Sequence, residues 1–156
     1  MANSIRVGKW VDLDPESQKL IKKAEEALQN AYAPYSKFRV AAALLLDNDI
    51  VVTGTNQENA AYPDGMCAER VALFTKASQY PDRYIKRLVV VAKAENANEL
   101  SPASCCGSCR QVMLEFEHRQ VKPYEVVMQS QEGEWLTAPS AESLLPFGFS
   151  KRNLGN

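Results

Sequence analysis

Three of the four cysteines in this 156-residue chain fall within five positions, in the stretch PASCCGSCRQ at 102–111. Cys106 and Cys109 have the two-residue gap that lets both thiolates reach one metal ion. Alone, the pair reads equally as metal ligands, a redox couple or small buried side chains. The fourth cysteine, Cys67, stands far upstream in DGMCAER. Each site falls where the pattern starts a helix, so a shared ion requires two helix N-termini to meet. Thiolates there gain from the positive end of the helix dipole and from free backbone N–H groups, which lower their pKa. His118 is the only histidine, so any zinc here rests on sulfur. Three thiolates with an open fourth position make a catalytic type of zinc site, whereas four protein ligands close it into a structural one. Glu69, two residues after Cys67, sits where a carboxylate lies beside a metal without ligating it. That placement suits a general base acting on metal-bound water; its plain reading is an acid favoured by the helix dipole.

Around this cluster the chain reads as one domain, by length and by the absence of repeats or a Gly/Ser-rich linker. Asp14-Pro15 resembles an N-cap and first helical residue, and Leu20, Ile21, Ala24, Ala27, Leu28 and Ala31 share one face before Pro34 ends the run. Phe38 to Leu46 and Ile50 to Thr55 flank Asp47-Asn48-Asp49 and predict a hairpin. Helical patterns follow over Met66 to Ser78, about Cys106 to Phe116 and Ala141 to Leu145, with strands over Leu88 to Ala92 and Tyr124 to Met128. The order predicts an α/β fold, an α/β/α three-layer sandwich with a mixed central sheet of about five strands flanked by helices.

The formal net charge of −1 argues against nucleic-acid binding, which shows a basic face or stripe. The longest apolar run, VAAALLL, is far short of the ~20 residues that span a bilayer. The opening MANSIRVGKWVDLDPE has no apolar signal core, so the chain reads as cytoplasmic, without membrane partners. Clustered cysteines in that reducing compartment more often bind metal or do chemistry than form disulfides.

Four blocks, AYAPYSKFRVAAALL, GTNQENAAYPDGMCAERVAL, PASCCGSCRQVMLEF and LLPFGF, stand in this order. Together they resemble the zinc-dependent cytidine deaminases of the small homotetrameric, three-cysteine type. The resemblance implies one Zn²⁺ per subunit on Cys67, Cys106 and Cys109, with Glu69 as proton shuttle. It implies hydrolytic deamination of cytidine or deoxycytidine to the uracil nucleoside and ammonia, by zinc-hydroxide attack at C4. Asn56 and Glu58 match residues that hydrogen-bond the ribose hydroxyls. The Ala68 N–H matches a donor to the pyrimidine 2-oxo group, and the Ser104 carbonyl matches the acceptor of the amino group. Phe38 matches an aromatic packed near the base, a role that competes with simple packing in the first strand of the hairpin. Tyr62 and Phe149 match residues that reach a neighbouring subunit's site in a homotetramer, Phe149 stacking on the pyrimidine; its plain alternative is packing after Leu144, Leu145 and Pro146. Arg70 matches an arginine that hydrogen-bonds the zinc thiolates, and otherwise is a solvated helix charge. Three thiolates leave Zn²⁺ at net −1, and a guanidinium beside them withdraws that excess.

Two positions depart from the family pattern. Cys105 stands where a proline usually precedes the first ligand of the pair, and Ala41 stands where glycine is usual. Side chains of neighbouring residues point in different directions, so Cys105 is read as the non-ligand. Rival readings are a deaminase of another aminated nucleoside, of the blasticidin S kind, and a non-catalytic structural zinc module using all four cysteines.

Overall fold

The computed structural model describes residues 4–155, so Met1–Asn3 of the opening stretch, and Asn156, lie outside it. A mixed sheet has strand order β1-β6-β5-β4-β2-β3, where β1 is Arg6–Lys9, β2 Phe38–Leu46, β3 Val51–Thr55, β4 Ile85–Ala94, β5 Glu125–Gln131 and β6 Glu134–Ala138. The helices are α1 (Pro15–Ala27), α2 (Ala68–Gln79) and α3 (Gly107–Gln120). Only β4 and β5 pair in parallel, across the crossover that carries α3; the other neighbours are antiparallel.

The layers follow from the central strands. β2 and β4 are nearly continuous apolar runs because both faces of the sheet are covered. Ala41, Ala43, Leu45, Val89 and Val91 pack with Leu20, Ile21 and Ala24 of α1 on one face. Ala42, Leu44, Leu46, Leu88 and Val90 pack with Ala72, Leu73 and Met113 of α2 and α3 on the other. This is the expected three-layer α/β/α sandwich, with six strands rather than about five. The strands the sequence left unmarked are β1 and β6, the second arm of the β5–β6 hairpin. The segment 141–145 forms only a 3-10 turn, Glu142–Leu144.

Local signals fix the elements that carry the cleft. Asp14 caps α1 by accepting from the Ser17 N–H at 3.0 Å, with Pro15 at the first helical position. Gly54 in β3 lets the first turn of α2 lie directly on the strand, since a Cβ there would sit 2.3 Å from Ala72 N and 2.6 Å from Ala68 O. Cys67 and Cys106 are the N-cap residues of α2 and α3. Both helices rest on the same sheet face, so their N-termini come together at the base of one cleft.

Candidate active site

The thiol sulfurs of Cys67, Cys106 and Cys109 lie within 4.8 Å of one another, and those of Cys67 and Cys106 are 3.9 Å apart. Cys105 does not join them. Its side chain is buried in the core, and burial, then the Glu69 carboxylate facing it, pushes its thiol up. The Cys106 sulfur also accepts the Cys109 N–H at 3.4 Å, using a free donor of α3's first turn. Hydrogen bonding from Cys109 draws the Cys67 thiol down to about 5, with Arg70 and Cys106 adding to the effect. The same hydrogen bond to Cys67, together with burial, pushes Cys109 up.

Arg70, one helical turn beyond Cys67, donates from Nη2 to the Cys67 sulfur at 3.5 Å. Its Nε is buried with no hydrogen-bond partner. Contact with Cys67 and Cys109 holds its guanidinium even more firmly protonated than usual. Glu69 is only 4% exposed. Burial raises its pKa, and the Cys67 thiolate adds to the rise. A buried carboxylate beside a site that polarises water is poised to take up a proton and release it.

The cleft in front of these groups has a volume of about 440 Å³, the size of a small-molecule site. Its walls hold Phe38, Asn56, Glu58, Tyr62, Ala68, Glu69, Arg70, Ser104 and Cys106. Val40, Gln57, Gly65, Met66 and Val90 also line it and were not singled out from the sequence; Val40 and Val90 are adjacent-strand neighbours that only the pairing of β2 with β4 brings to one wall. A larger cleft of about 690 Å³ lies beside the end of α3 and contains Glu117, His118 and Lys122. Among the described residues, the Cys67, Cys106 and Cys109 trio is the one group of side chains placed to hold a metal.

At the far end of the cleft, Asn56 and Glu58 are held in place by the chain itself. Asn56 Oδ1 accepts the Val40 N–H at 2.9 Å, and its Nδ2 donates to the Phe38 carbonyl at 2.9 Å. Glu58 Oε2 accepts the N–H groups of Tyr35 and Ser36, at 2.9 and 3.2 Å, and Oε1 accepts the Ser36 hydroxyl. The Ser36 hydroxyl, then the backbone N–H groups of Tyr35 and Ser36, hold Glu58 below the ordinary carboxylate range.

The family described as the cytidine and deoxycytidylate deaminase zinc-binding region matches residues 14–125. A cytidine deaminase of Sporosarcina psychrophila is 42% identical over 137 residues, 88% of this chain and 93% of that protein. One from Halalkalibacterium halodurans is 39% identical over 141 residues, 90% of this chain and 99% of that one. The chain belongs to the cytidine deaminase family.

The fold agrees. The crystal structure of cytidine deaminase from Burkholderia pseudomallei matches with a TM-score of 0.70 at 39% identity, over 88% of this chain and 100% of that one. The sulfur trio suits this family's zinc. At a Zn–S distance of ~2.3 Å, tetrahedral geometry separates neighbouring sulfurs by about 3.8 Å, and Cys67 and Cys106 already stand at 3.9 Å. The unpartnered Arg70 Nε is a further buried donor beside thiolates that carry excess negative charge. The family's zinc-binding region, together with a trio of sulfurs able to hold one metal ion, makes zinc the cofactor of this protein. Phe149 is the one expected site residue that the fold leaves away from the cleft of its own chain. The residue is 58% exposed, and its carbonyl accepts from Gln111 Nε2 at 2.8 Å. Among the described residues, no helix is long and apolar enough to cross a membrane.

Proposed function

We propose that this cytidine deaminase hydrolyses cytidine and deoxycytidine to the uracil nucleosides and ammonia, in one catalytic domain spanning residues 1–156. The observation that carries the reading is the buried Glu69 carboxylate beside the three sulfurs, at the base of a cleft whose other end presents Asn56 and Glu58.

Zinc, when bound, supplies a Lewis acid that brings the pKa of a water near neutrality. Glu69 accepts a proton from the attacking water and delivers it to N3 of the pyrimidine as C4 becomes tetrahedral. It then carries the second proton to the amino group, which leaves as ammonia. Burial raises the proton affinity of Glu69, which lets it hold the proton between these steps. Arg70 offsets the charge of the three thiolates. The Ala68 N–H, at the positive end of α2, donates to the 2-oxo group, and the Ser104 carbonyl accepts from the amino group.

Asn56 and Glu58 divide the recognition of the ribose. Each oxygen of an ionised carboxylate has two acceptor positions; Glu58 Oε2 has both filled and Oε1 has one filled. The Asn56 Oδ1 and one Nδ2 hydrogen are committed to β2. One open acceptor and one open donor match a hydroxyl, which is both. Phe38 flanks the base.

Association completes the site. Tyr62, Phe147 and Phe149 are 78%, 105% and 58% exposed in the single chain, an apolar excess that burial between copies would stabilise. In a homotetramer, Phe149 reaches the cleft of a neighbour, covering the pyrimidine and excluding water, while Tyr62 lines the cleft of its own chain. The assay is Glu69→Gln, which keeps the shape of the side chain and cannot shuttle protons. It is expected to retain zinc and melting temperature while kcat falls ~10²- to 10⁴-fold; a kcat within a few-fold of the parent's would remove Glu69 from the mechanism.

A further inference from the structure

The turn between α1 and β2 offers more donors to Glu58 than a surface carboxylate usually meets. Lys37 has φ 57°, a left-handed residue in a turn closed by its N–H bond to the Ala33 carbonyl at 3.1 Å. That geometry aims the N–H groups of Tyr35 and Ser36 at Glu58 Oε2. The Ser36 hydroxyl donates to Oε1 of the same carboxylate and accepts the Phe38 N–H at 3.1 Å. A hydroxyl has one hydrogen to give, so Ser36 spends it on Glu58 and ties that carboxylate to the residue beside the base. Phe38 is tied in turn through its carbonyl to Asn56 Nδ2. The three groups facing the nucleoside therefore share one hydrogen-bonded frame, and Ser36 is the side chain that closes it.

We propose that Ser36 is a positioning residue for nucleoside recognition. By filling one acceptor site of Glu58 Oε1, it leaves a single acceptor aimed at a single ribose hydroxyl. The inference rests on the assignment of Asn56 and Glu58 to the ribose. Tyr35 and Ser36 backbone donors hold Oε2. The Ser36 hydroxyl is the one donor the chain supplies to Oε1, the oxygen left to face the ribose. Its low-pKa partner stays ionised and acceptor-only across the working range, so a substrate without the hydroxyl has nothing to offer the open position.

The test pairs variants with substrates. Zinc-loaded parent, Ser36→Ala, Ser36→Thr and Glu58→Gln proteins are assayed on cytidine and on 2′,3′-dideoxycytidine. The readout is the ratio of kcat/KM for the two substrates, with melting temperature and zinc content recorded for each protein. Loss of one charge-assisted hydrogen bond that orients the carboxylate is expected to lower the ratio roughly ten-fold in Ser36→Ala. Activity on the dideoxy substrate stays within two- to three-fold of the parent's on the same reasoning. Ser36→Thr, which keeps the hydroxyl, restores the ratio. A loss that falls equally on both substrates in Ser36→Ala, or a ratio unchanged from the parent's, overturns the role of Ser36. Failure of the ribose assignment looks different, because the parent and Glu58→Gln would then show the same ratio.

Discussion

Gly54→Ala tests whether the close seating of α2 on β3 is what sets the geometry of the catalytic groups. The added Cβ would lie 2.3 Å from Ala72 N, 2.6 Å from Ala68 O and 2.9 Å from Ala72 Cα, all of them backbone atoms that no rotamer change can move. Restoring an ordinary contact requires α2 to retreat from β3 by about 1 Å. Overpacking of this kind costs about 1–3 kcal/mol, occasionally more. For a chain of this size that corresponds to a fall in Tm of about 3–10 °C. The displaced end of the helix carries Cys67 at its N-cap and Ala68 and Glu69 in its first turn, so function suffers beyond stability. A 1 Å misplacement of catalytic groups costs on the order of 10²-fold. The assay is kcat/KM for cytidine at a temperature well below the variant's melting point, alongside zinc content. The expected result is a folded, less stable protein with kcat/KM reduced about a hundred-fold. A variant with unchanged Tm and kcat/KM within three-fold would show that α2 tolerates the shift and that the reasoning from close contact is wrong.

Three further outcomes follow from the site. Cys105→Ala keeps its full zinc content by metal analysis, because the Cys105 sulfur lies outside the trio, whereas Cys106→Ala loses most of it; equal losses would contradict this. Arg70→Ala keeps zinc but loses activity roughly ten- to a hundred-fold, the scale of groups that hydrogen-bond metal ligands; activity within two-fold would leave Arg70 a surface charge. Mixing inactive Glu69→Gln with inactive Phe149→Ala under conditions that exchange subunits regains part of the activity, because some clefts then combine an intact Glu69 with an intact Phe149 from another chain. No regain despite proven exchange would confine Phe149 to its own subunit.

The parts of the fold that were legible in the sequence are those whose burial leaves a pattern. α1 shows it in Leu20, Ile21 and Ala24 on one face, and the β2–β3 hairpin in two apolar runs around a polar turn whose Asp49 has φ 64°. β1 left no such mark. It is an edge strand of four mostly exposed residues, held by pairing with β6 rather than by an apolar face. β6 is only one residue longer, and its clearest signal is Gly133, at φ 73° in the turn from β5. In the site, the cysteines and Glu69 were readable because few residue types can do their chemistry. Ser36 was not, because a serine in a turn is ordinary until the fold brings Glu58 against it from a different segment. Cys105 lay between. Its neighbours in sequence marked it as the odd cysteine, but its packing against Glu69 depends on how α2 meets α3.

In the proposed site, zinc sits on three sulfurs with a fourth position open to water. X-ray absorption at the zinc edge of the purified, zinc-loaded enzyme tests it most directly, because sulfur and oxygen neighbours differ in distance, at ~2.3 Å and ~2.0 Å. The expected shell is three sulfurs and one oxygen in the parent, and the same in Cys105→Ala. Four sulfurs in the parent, falling to three in Cys105→Ala, would make the site a closed structural one with no place for water.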